Sequence, residues 1–387
     1  GVGLFVIFGR SGNNYPFGNI RLVNILRINM LSGHGGNIRE VSKARGIPEV
    51  KLIDFSSNVN PLGFSPKIRH LGAEFAGIIR RYPDPECVAL RSGLSGYLGV
   101  STDNILAGNG SNELIHLVPR ALNCSSALIY KPAFCEYELS VKIAKGKPYF
   151  LFAREENGFT FDIEEAFTYV KKVEMIILCN PNNPTGNLLK KDALLELAAY
   201  CAKNKTYLFI DEVFMEFTDD ENSYSLKNMV TKNKYLLILR SLTKFFSLAG
   251  LRIGYLLADK NLIKKISLLQ PTWSINGLAQ EIALRSLSDA KFIKKSKEYI
   301  IRERDFLFSR LKRIRGIYPY YPNANFIFCK ILDKRLNSGL LYLRLLRSGI
   351  LIRDCSNFDG LDNRFFRIAV RKHQDNLHLL NKLQNII

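Results

Sequence analysis

The chain has 387 residues, 47% of them hydrophobic, and its 55 lysines and arginines against 35 acidic residues produce a net charge of +20. This length suits a large and a small domain that share an interface, and no apolar run reaches the length of a membrane span. The basic residues are spread along the chain, which disfavours nucleic-acid binding and favours a diffuse field that attracts small anions. Seven cysteines without paired spacing predict free thiols in a reducing cytoplasm, and no Cys/His cluster predicts a metal site.

The composition of the first 30 residues is typical of an extension that does not belong to the folded protein. The apolar run Gly1–Phe8 is short for a signal peptide, no basic region precedes it, and no small-residue cleavage site follows. We predict that residues 1–30 are a non-native or disordered extension and that the natural start is Met30. Residues 31–65 are predicted to form an N-terminal arm that contains His34 and the loop Asn58–Gly63.

Strands and helices alternate between about residues 70 and 270, which predicts a mostly parallel sheet covered by helices within a large domain, residues 66–280. In this segment Ala107–Glu113 precedes an apolar helical stretch. Its small residues would leave the N–H groups of Gly110, Ser111 and Asn112 free for a phosphate. The segment is not a dinucleotide-binding fingerprint, because the third glycine is absent.

Two later strands end in polar residues. The apolar run Met175–Cys179 leads into Asn180–Gly186, where two prolines and a glycine predict an irregular turn that presents Asn183 to a ligand. An ordinary turn would have the same composition. The strand Tyr207–Asp211 ends in an acid at the carboxyl edge of the sheet, where α/β proteins place their sites, although an aspartate there also caps helices.

The segment Ser241–Tyr255 places Lys244 beside two hydroxyl residues, Ser241 and Thr243, with Arg252 downstream. This arrangement suits a lysine that forms a Schiff base with a phosphorylated aldehyde, since the amine attacks the carbonyl while the hydroxyls and the guanidinium hold the phosphate. On this segment alone, a solvated lysine at a polar helix start explains the pattern equally well.

The C-terminal part predicts a long helix near Gln280–Leu311 and strands near Phe326–Lys330 and Phe366–Val370. These elements predict a smaller α+β domain, residues 281–387.

In order and spacing, five motifs resemble those of the fold-type I pyridoxal-phosphate enzymes, the aspartate aminotransferase superfamily. They are Gly108–Gly110, Asn180–Gly186, Asp211, Ser241-x-x-Lys244 and Arg252. The resemblance runs from about Leu31 to the C-terminus and implies an α/β fold-type I architecture with pyridoxal 5'-phosphate as cofactor. Ser-x-x-Lys also opens the β-lactamase signature, but neither Ser-Asp-Asn nor Lys-Thr-Gly follows it here.

The resemblance also implies roles for single residues. Lys244 would hold the cofactor, Asp211 would keep its ring nitrogen protonated so that the ring accepts electrons, and Asn183 would help to tune it. Ser241 and Arg252 would hold the cofactor phosphate together with the Gly110–Asn112 segment. By the same resemblance, Phe134 matches the aromatic residue that stacks on the ring, and Tyr82 matches a tyrosine that reaches the cofactor phosphate of a neighbouring subunit. The protein would then be a homodimer with shared active sites.

Four segments resemble one branch of this superfamily, the threonine-phosphate decarboxylases. They are His34–Glu40, Asp54–Gly63 (which contains Asn60), Asp211–Phe214 and Pro271–Asn276. The related histidinol-phosphate aminotransferases share the core but usually lack the His-Gly-Gly-Asn start and have tyrosine where this chain has Phe214.

The first branch implies a phosphorylated amino acid substrate, threonine phosphate, which is decarboxylated to aminopropanol phosphate for cobalamin synthesis. Substrate contacts would come from His34 and Asn60, from Arg353 at the phosphate and from Arg367 at the carboxylate, since bidentate arginine contacts suit both anions. Histidinol-phosphate aminotransferase activity remains an alternative. A degenerate fold-type I domain that only binds ligands is a second alternative, which the intact Lys244 disfavours.

Overall fold

The computed structural model describes residues 35–387, so the predictions for residues 1–30 and for His34 lie outside the described residues. The α-helices of the described chain are α1 (Ile38–Arg45), α2 (Gly72–Ile79), α3 (Val88–Leu98), α4 (Gly110–Ala121), α5 (Cys135–Ile143), α6 (Ile163–Val170), α7 (Lys191–Lys203), α8 (Leu242–Phe245), α9 (Lys260–Ser267), α10 (Gly277–Leu287), α11 (Ala290–Leu311), α12 (Ser338–Leu346) and α13 (His373–Ile386). The strands are β1 (Ile53–Asp54), β2 (Ile105–Gly108), β3 (Ser126–Lys131), β4 (Lys147–Phe152), β5 (Met175–Cys179), β6 (Tyr207–Asp211), β7 (Leu236–Ser241), β8 (Gly254–Ala258), β9 (Ile317–Pro319), β10 (Phe326–Ile331), β11 (Ile350–Leu351), β12 (Arg353–Asp354) and β13 (Phe365–Ala369).

The large sheet has seven strands in the order β2-β8-β7-β6-β5-β3-β4. Strand β8 is antiparallel to both of its neighbours, and the other pairs are parallel. Every residue of β5 and β7 is buried, as expected for a sheet that helices cover on both faces. Strands β5, β6 and β7 are parallel, and β2 runs in the same direction because β2 and β7 are both antiparallel to β8. These four strands therefore end at one edge of the sheet, which brings together the segments that the sequence singled out.

A smaller antiparallel sheet follows, with the order β12-β13-β10-β9. The short strands β1 and β11 pair in parallel and tie the N-terminal segment to this part of the chain. Hydrophobic clusters fill both faces of the large sheet, and a third lies between the small sheet and its helices. The predicted fold class, a helix-covered and mostly parallel sheet with a smaller α+β part, is confirmed. None of the helices described in residues 35–387 is long and apolar enough to cross a membrane.

The predicted long helix from Gln280 to Leu311 is wrong in one respect, because the chain breaks between α10 and α11. Asp289 accepts a hydrogen bond from the Phe292 N–H (3.1 Å) and caps α11, and its other oxygen accepts one from the Ser65 hydroxyl (2.5 Å). An aspartate with two such partners favours a helix start over a helix interior. The domain boundaries given above remain predictions.

Candidate active site

A cavity of about 440 Å³ lies at the carboxyl edge of the large sheet. Lys244, Asp211 and Asn183 line it from the large sheet, and Arg353 and Arg367 line it from the small sheet. Segments far apart in the chain are thus brought into one wall, where Asn183 and Arg367, which are 184 residues apart, are in contact.

Lys244 lies on the single-turn helix α8. Ser241 caps this turn, since its hydroxyl accepts the Thr243 N–H (3.2 Å) and lies 2.7 Å from the Thr243 hydroxyl. Burial, followed by the charges of Arg367 and Arg252, lowers the pKa of Lys244 to about 8. At pH 7 roughly one tenth of this amine is therefore unprotonated and able to attack a carbonyl, far more than for a lysine with the usual pKa of 10.5.

Asp211 ends β6 and is fully enclosed. Burial raises the pKa of its carboxyl to about 6, while hydrogen bonds from the Tyr137 hydroxyl and the Val213 N–H act in the opposite direction. The Tyr137 oxygen lies 2.6 Å from Asp211 Oδ2, and the Val213 nitrogen lies 3.0 Å from Oδ1. Asp211 is thus mainly a carboxylate at neutral pH, as an acid that pairs with a protonated ring nitrogen must be.

Sequence reasoning missed Tyr137. It follows Phe134 by three residues in α5, and its ring meets the Phe134 ring edge-on at 5.9 Å. A buried tyrosine in a helix carries no local signal of function, because its partner lies 74 residues away in the chain. Only the contact between α5 and the end of β6 identifies it.

The first turn of α4 forms a cradle next to Arg252. Gly110 has φ +75°, a backbone conformation that favours glycine, and a Cβ added there would lie 2.5 Å from Arg252 Nη2 and displace the guanidinium. Ser111 and Asn112 line the cavity. The buried Asn112 Oδ1 has no hydrogen-bond partner among the described residues. The N–H groups of the first helical turn and the nearby guanidinium are hydrogen-bond donors that fit a phosphorylated cofactor.

Arg367 and Asn183 meet on the opposite wall. One guanidinium nitrogen of Arg367 donates to Asn183 Oδ1, and another donates to the Ser56 carbonyl at 2.8 Å. Its Nε is buried without a partner among the described residues. Burial, with a smaller contribution from the like charge of Arg353, lowers the pKa of Arg367 to about 10. A buried cation with an unused donor favours an incoming carboxylate.

Arg353 lies on the neighbouring strand β12. It donates to the Asp354 carbonyl (2.7 Å) and to Asn357 Oδ1 (2.8 Å), and its guanidinium lies 5.0 Å from the centre of the Phe358 ring. These contacts come from one loop and hold the arginine against the cavity wall. Arg353 is therefore a second buried cation that faces the same space as Arg367.

Behind the site, Arg240 directly precedes Ser241 and is completely buried. It lies 2.7 Å from Glu212, 3.3 Å from Glu216 and 3.0 Å from Glu221. Glu212 in turn directly follows Asp211. This ion-pair cluster therefore holds the ends of β6 and β7 together, and with them Asp211, which lines the cavity, and Ser241, which caps the Lys244 turn.

The structure does not bring every predicted residue into the cavity. Asn60, which was predicted to contact the substrate, does not line the cavity. Its side-chain amide donates instead to the Phe245 carbonyl and the Ser296 hydroxyl inside the protein, both at 2.9 Å. It supports the Lys244 turn from behind, and its neighbour Asn58 lines the cavity instead.

Tyr82 does not line the cavity of its own chain either. It is exposed and stacks on Trp273, with ring centroids 4.5 Å apart. Phe134 and Phe214, in contrast, both line the cavity, and the Phe214 ring packs edge-on against Phe326 at 5.1 Å.

The sheet order, a lysine near its carboxyl edge, an acid at the end of the adjacent strand and a helix-terminal phosphate cradle define a fold-type I pyridoxal-phosphate enzyme. The chain belongs to the class I and II aminotransferase family, which matches residues 50–383. Its cofactor is accordingly pyridoxal 5'-phosphate, for which the lysine, the acid and the cradle are the expected ligands.

Relatives of two activities are similar to this chain. The threonine-phosphate decarboxylase of Salmonella typhimurium is 34% identical over 361 residues, which are 92% of this chain and 97% of that protein. The histidinol-phosphate aminotransferase of Methanococcus maripaludis is 30% identical over 357 residues, 91% of this chain and 95% of that protein.

Solved structures divide in the same way. The histidinol-phosphate aminotransferase from Clostridium acetobutylicum has a TM-score of 0.82 at 33% identity, covering 87% of this chain and 99% of that one. The L-threonine-O-3-phosphate decarboxylase from Porphyromonas gingivalis has a TM-score of 0.76 at 26% identity, covering 86% of this chain and 98% of that one. The family is thus established, and both activities occur among similar proteins.

Proposed function

We propose that the protein decarboxylates L-threonine O-3-phosphate to (R)-1-aminopropan-2-ol O-2-phosphate and CO2, a step that would supply the aminopropanol linker of cobalamin. The observation that carries the proposal is the pair of buried arginines, Arg353 and Arg367, in the cavity that also holds Lys244. A phosphorylated amino acid has two anionic groups, and bidentate contacts from two separate guanidiniums would fix both of them.

The bound cofactor supplies an electron sink for the bond that breaks at the substrate's α-carbon. Arg367 holds the substrate carboxylate, and its contacts with Asn183 and Ser56 set the direction of that carboxylate. Arg353 holds the phosphate. With both ends of the substrate held, the α-carbon has little rotational freedom, and the orientation of its bonds decides which one breaks. Lys244, with its lowered pKa, is suited to deliver a proton to the α-carbon afterwards.

The N-terminal segment favours decarboxylation over transamination. Gly35 lines the cavity, and the Gly36 N–H donates to the Ser56 hydroxyl at 2.9 Å, while the Ser56 carbonyl accepts from Arg367. The segment that resembles the decarboxylases therefore reaches the wall where the substrate carboxylate would bind. A Cβ at Gly35 would lie 2.4 Å from the Ser56 carbonyl oxygen, so only glycine allows the backbone at residue 35 to lie this close to Ser56.

Histidinol-phosphate aminotransferase activity is the second candidate, because similar proteins at 33% and 30% identity have that activity. To separate the two, the purified holoenzyme would be incubated with phosphothreonine and CO2 release followed. In parallel, amino transfer from histidinol phosphate would be measured. We expect CO2 release with little transfer. Rapid transfer without CO2 release would establish the aminotransferase and end the first proposal.

Phe214 offers a matched variant for this experiment. Its ring lines the cavity and lacks the hydroxyl that the corresponding tyrosine of the aminotransferases has. Phe214→Tyr should therefore raise the ratio of transamination to decarboxylation, whereas Phe75→Tyr, at an exposed ring outside the cavity, should leave the ratio unchanged.

We also propose that the protein is a homodimer with shared sites. Tyr82, Trp273 and Leu268 are exposed apolar side chains away from the cavity of their own chain, as residues that contact a second copy would be. The test is complementation, since Tyr82→Ala and Lys244→Ala proteins should each be nearly inactive. Refolding them together should restore activity, because a mixed dimer has one site with both native residues. Activity that stays at the level of the separate variants would contradict sharing.

A further inference from the structure

One lysine on the cavity wall is not explained by cofactor binding. Lys131 ends β3, its side chain is 3% exposed, and it lines the same cavity as Lys244. Its ammonium lies 2.7 Å from Asp359 Oδ2 and 2.8 Å from Glu138 Oε2. Burial acts to lower the pKa of Lys131, but the hydrogen bonds that its ammonium donates to the two carboxylates outweigh burial and raise the pKa, so the side chain is a cation.

The two acids differ in their position. Glu138 lies on α5, near β3, and does not line the cavity, while Asp359 lies on the loop between β12 and β13 and does line it. The Asp359 side chain is 60% exposed. The Lys131–Asp359 ion pair therefore joins the large sheet to a loop of the small sheet across the cavity, and the Asp359 side chain of this pair is exposed to solvent.

The same loop surrounds Arg353. Asn357 accepts from this arginine and Phe358 lies beneath its guanidinium, so Asp359 follows two residues that shape the proposed phosphate site. Arg353, Lys131 and Cys135 all line the cavity. Burial and Glu136 raise the pKa of the Cys135 thiol, and the charges of Arg353 and Lys131 both act to lower it. Each of the two cations contacts the loop of residues 357–359 at the cavity, Arg353 through Asn357 and Lys131 through Asp359.

We propose that Lys131 is an additional binding residue for the phosphate of the substrate, and that Asp359 occupies this position until the substrate displaces it. A phosphate offers the same acceptor oxygens as the carboxylate but carries more charge and contacts Arg353 as well. Asp359 is the partner that can leave, because it is exposed and lies on a loop. Glu138 would remain bound to Lys131. The inference rests on the proposed function only in that the substrate carries a phosphate.

Binding of inorganic phosphate to the holoenzyme, measured by titration calorimetry, tests this without any catalytic step. Asp359→Asn removes the competing charge and should tighten phosphate binding about fivefold, whereas Lys131→Gln should weaken it about tenfold. Lys131→Arg keeps the charge and should bind within about threefold of the wild type. In the Lys131→Gln background, Asp359→Asn should have no further effect, because the two residues act through one contact.

Asp362 supplies the matched control. It lies on the same loop, is similarly exposed (47%), and pairs with Arg364 instead of Lys131. Asp362→Asn should therefore leave phosphate binding unchanged. Equal effects of Asp359→Asn and Asp362→Asn would show a general charge effect and overturn the proposal, as would an Asp359→Asn effect that persists without Lys131. Absence of CO2 release from phosphothreonine would refute the proposed function alone, since the phosphate titration does not depend on it.

Discussion

Replacing Tyr137 with phenylalanine removes the hydroxyl that donates to Asp211 at 2.6 Å, while the ring keeps its packing. Burial already raises the pKa of Asp211 to about 6, and the hydroxyl is the leading contribution in the opposite direction. The variant should therefore raise this pKa further. A hydrogen bond to a charged group contributes about 1.5–3 kcal/mol, which corresponds to a ten- to hundredfold change in the protonation equilibrium.

The consequence is a change in the pH range over which the cofactor binds. With a pKa of about 6, roughly nine tenths of Asp211 is ionised at pH 7, and the variant would bring this fraction to roughly half or below. The assay is an absorbance titration of the cofactor-free protein with pyridoxal phosphate from about pH 5 to pH 9. In the wild type, affinity should fall as the pH drops through about 6, and in Tyr137→Phe the fall should begin at least one unit higher.

Tyr255→Phe is the matched control, because the buried Tyr255 hydroxyl has no hydrogen-bond partner among the described residues. Removing it should leave the midpoint of the pH profile in place. If the Tyr137→Phe midpoint did not move, or moved to lower pH, the argument that Tyr137 keeps Asp211 ionised would be refuted.

Three further changes have definite expected outcomes. Lys244→Met should stabilise the cofactor-free protein by about 3 kcal/mol below pH 8, because the folded-state pKa of Lys244, about 8, lies below the usual 10.5. Thermal unfolding should show that this stabilisation fades as the pH rises towards 10.5, and a stabilisation that stayed constant with pH would argue against the lowered pKa. Gly110→Ala would place a Cβ 2.5 Å from Arg252 and should weaken cofactor binding about tenfold or more, while Gly96→Ala, which meets nothing within 4 Å, should not. Arg240→Leu leaves completely buried carboxylates without their cation, so urea unfolding should show a loss of about 3–5 kcal/mol; a loss below about 1 kcal/mol would mean that the cluster does not stabilise the strand ends.

Much of the fold could be predicted from local patterns. Apolar runs that end in a polar residue identified β5 and β6, and the predicted strands near Phe326 and Phe366 agree with β10 and β13 to within one residue at each end. Buried parallel strands are recognisable because both of their faces must be apolar. The helix break at Asp289 was missed, because the partner that favours it, Ser65, is 224 residues away.

The candidate site could be predicted only in part. Lys244, Asp211 and Asn183 stand in motifs whose composition already points to their chemistry, and the structure places all three on one cavity. Asn60 stands in an equally suggestive segment but faces Phe245 and Ser296 instead of the cavity. Composition does not show the direction in which a loop side chain points, since this depends on what packs against the loop.

The sequence by itself determined the chemistry of this protein through its short motifs in combination: an amine with hydroxyl neighbours, a strand-end acid and a phosphate-binding turn each lie within a few residues, and their order resembles that of pyridoxal-phosphate enzymes. The tertiary structure decided which groups meet. Tyr137 contacts Asp211, Arg367 contacts Ser56, and Lys131 contacts Asp359 across 74, 311 and 228 residues of chain. Such contacts form only when elements that are distant in the chain pack together around the cavity, so no local pattern records them. They set the pKa values and the positions of the charges, which is why the nature of the cofactor could be inferred from the sequence and the shape of the substrate site could not.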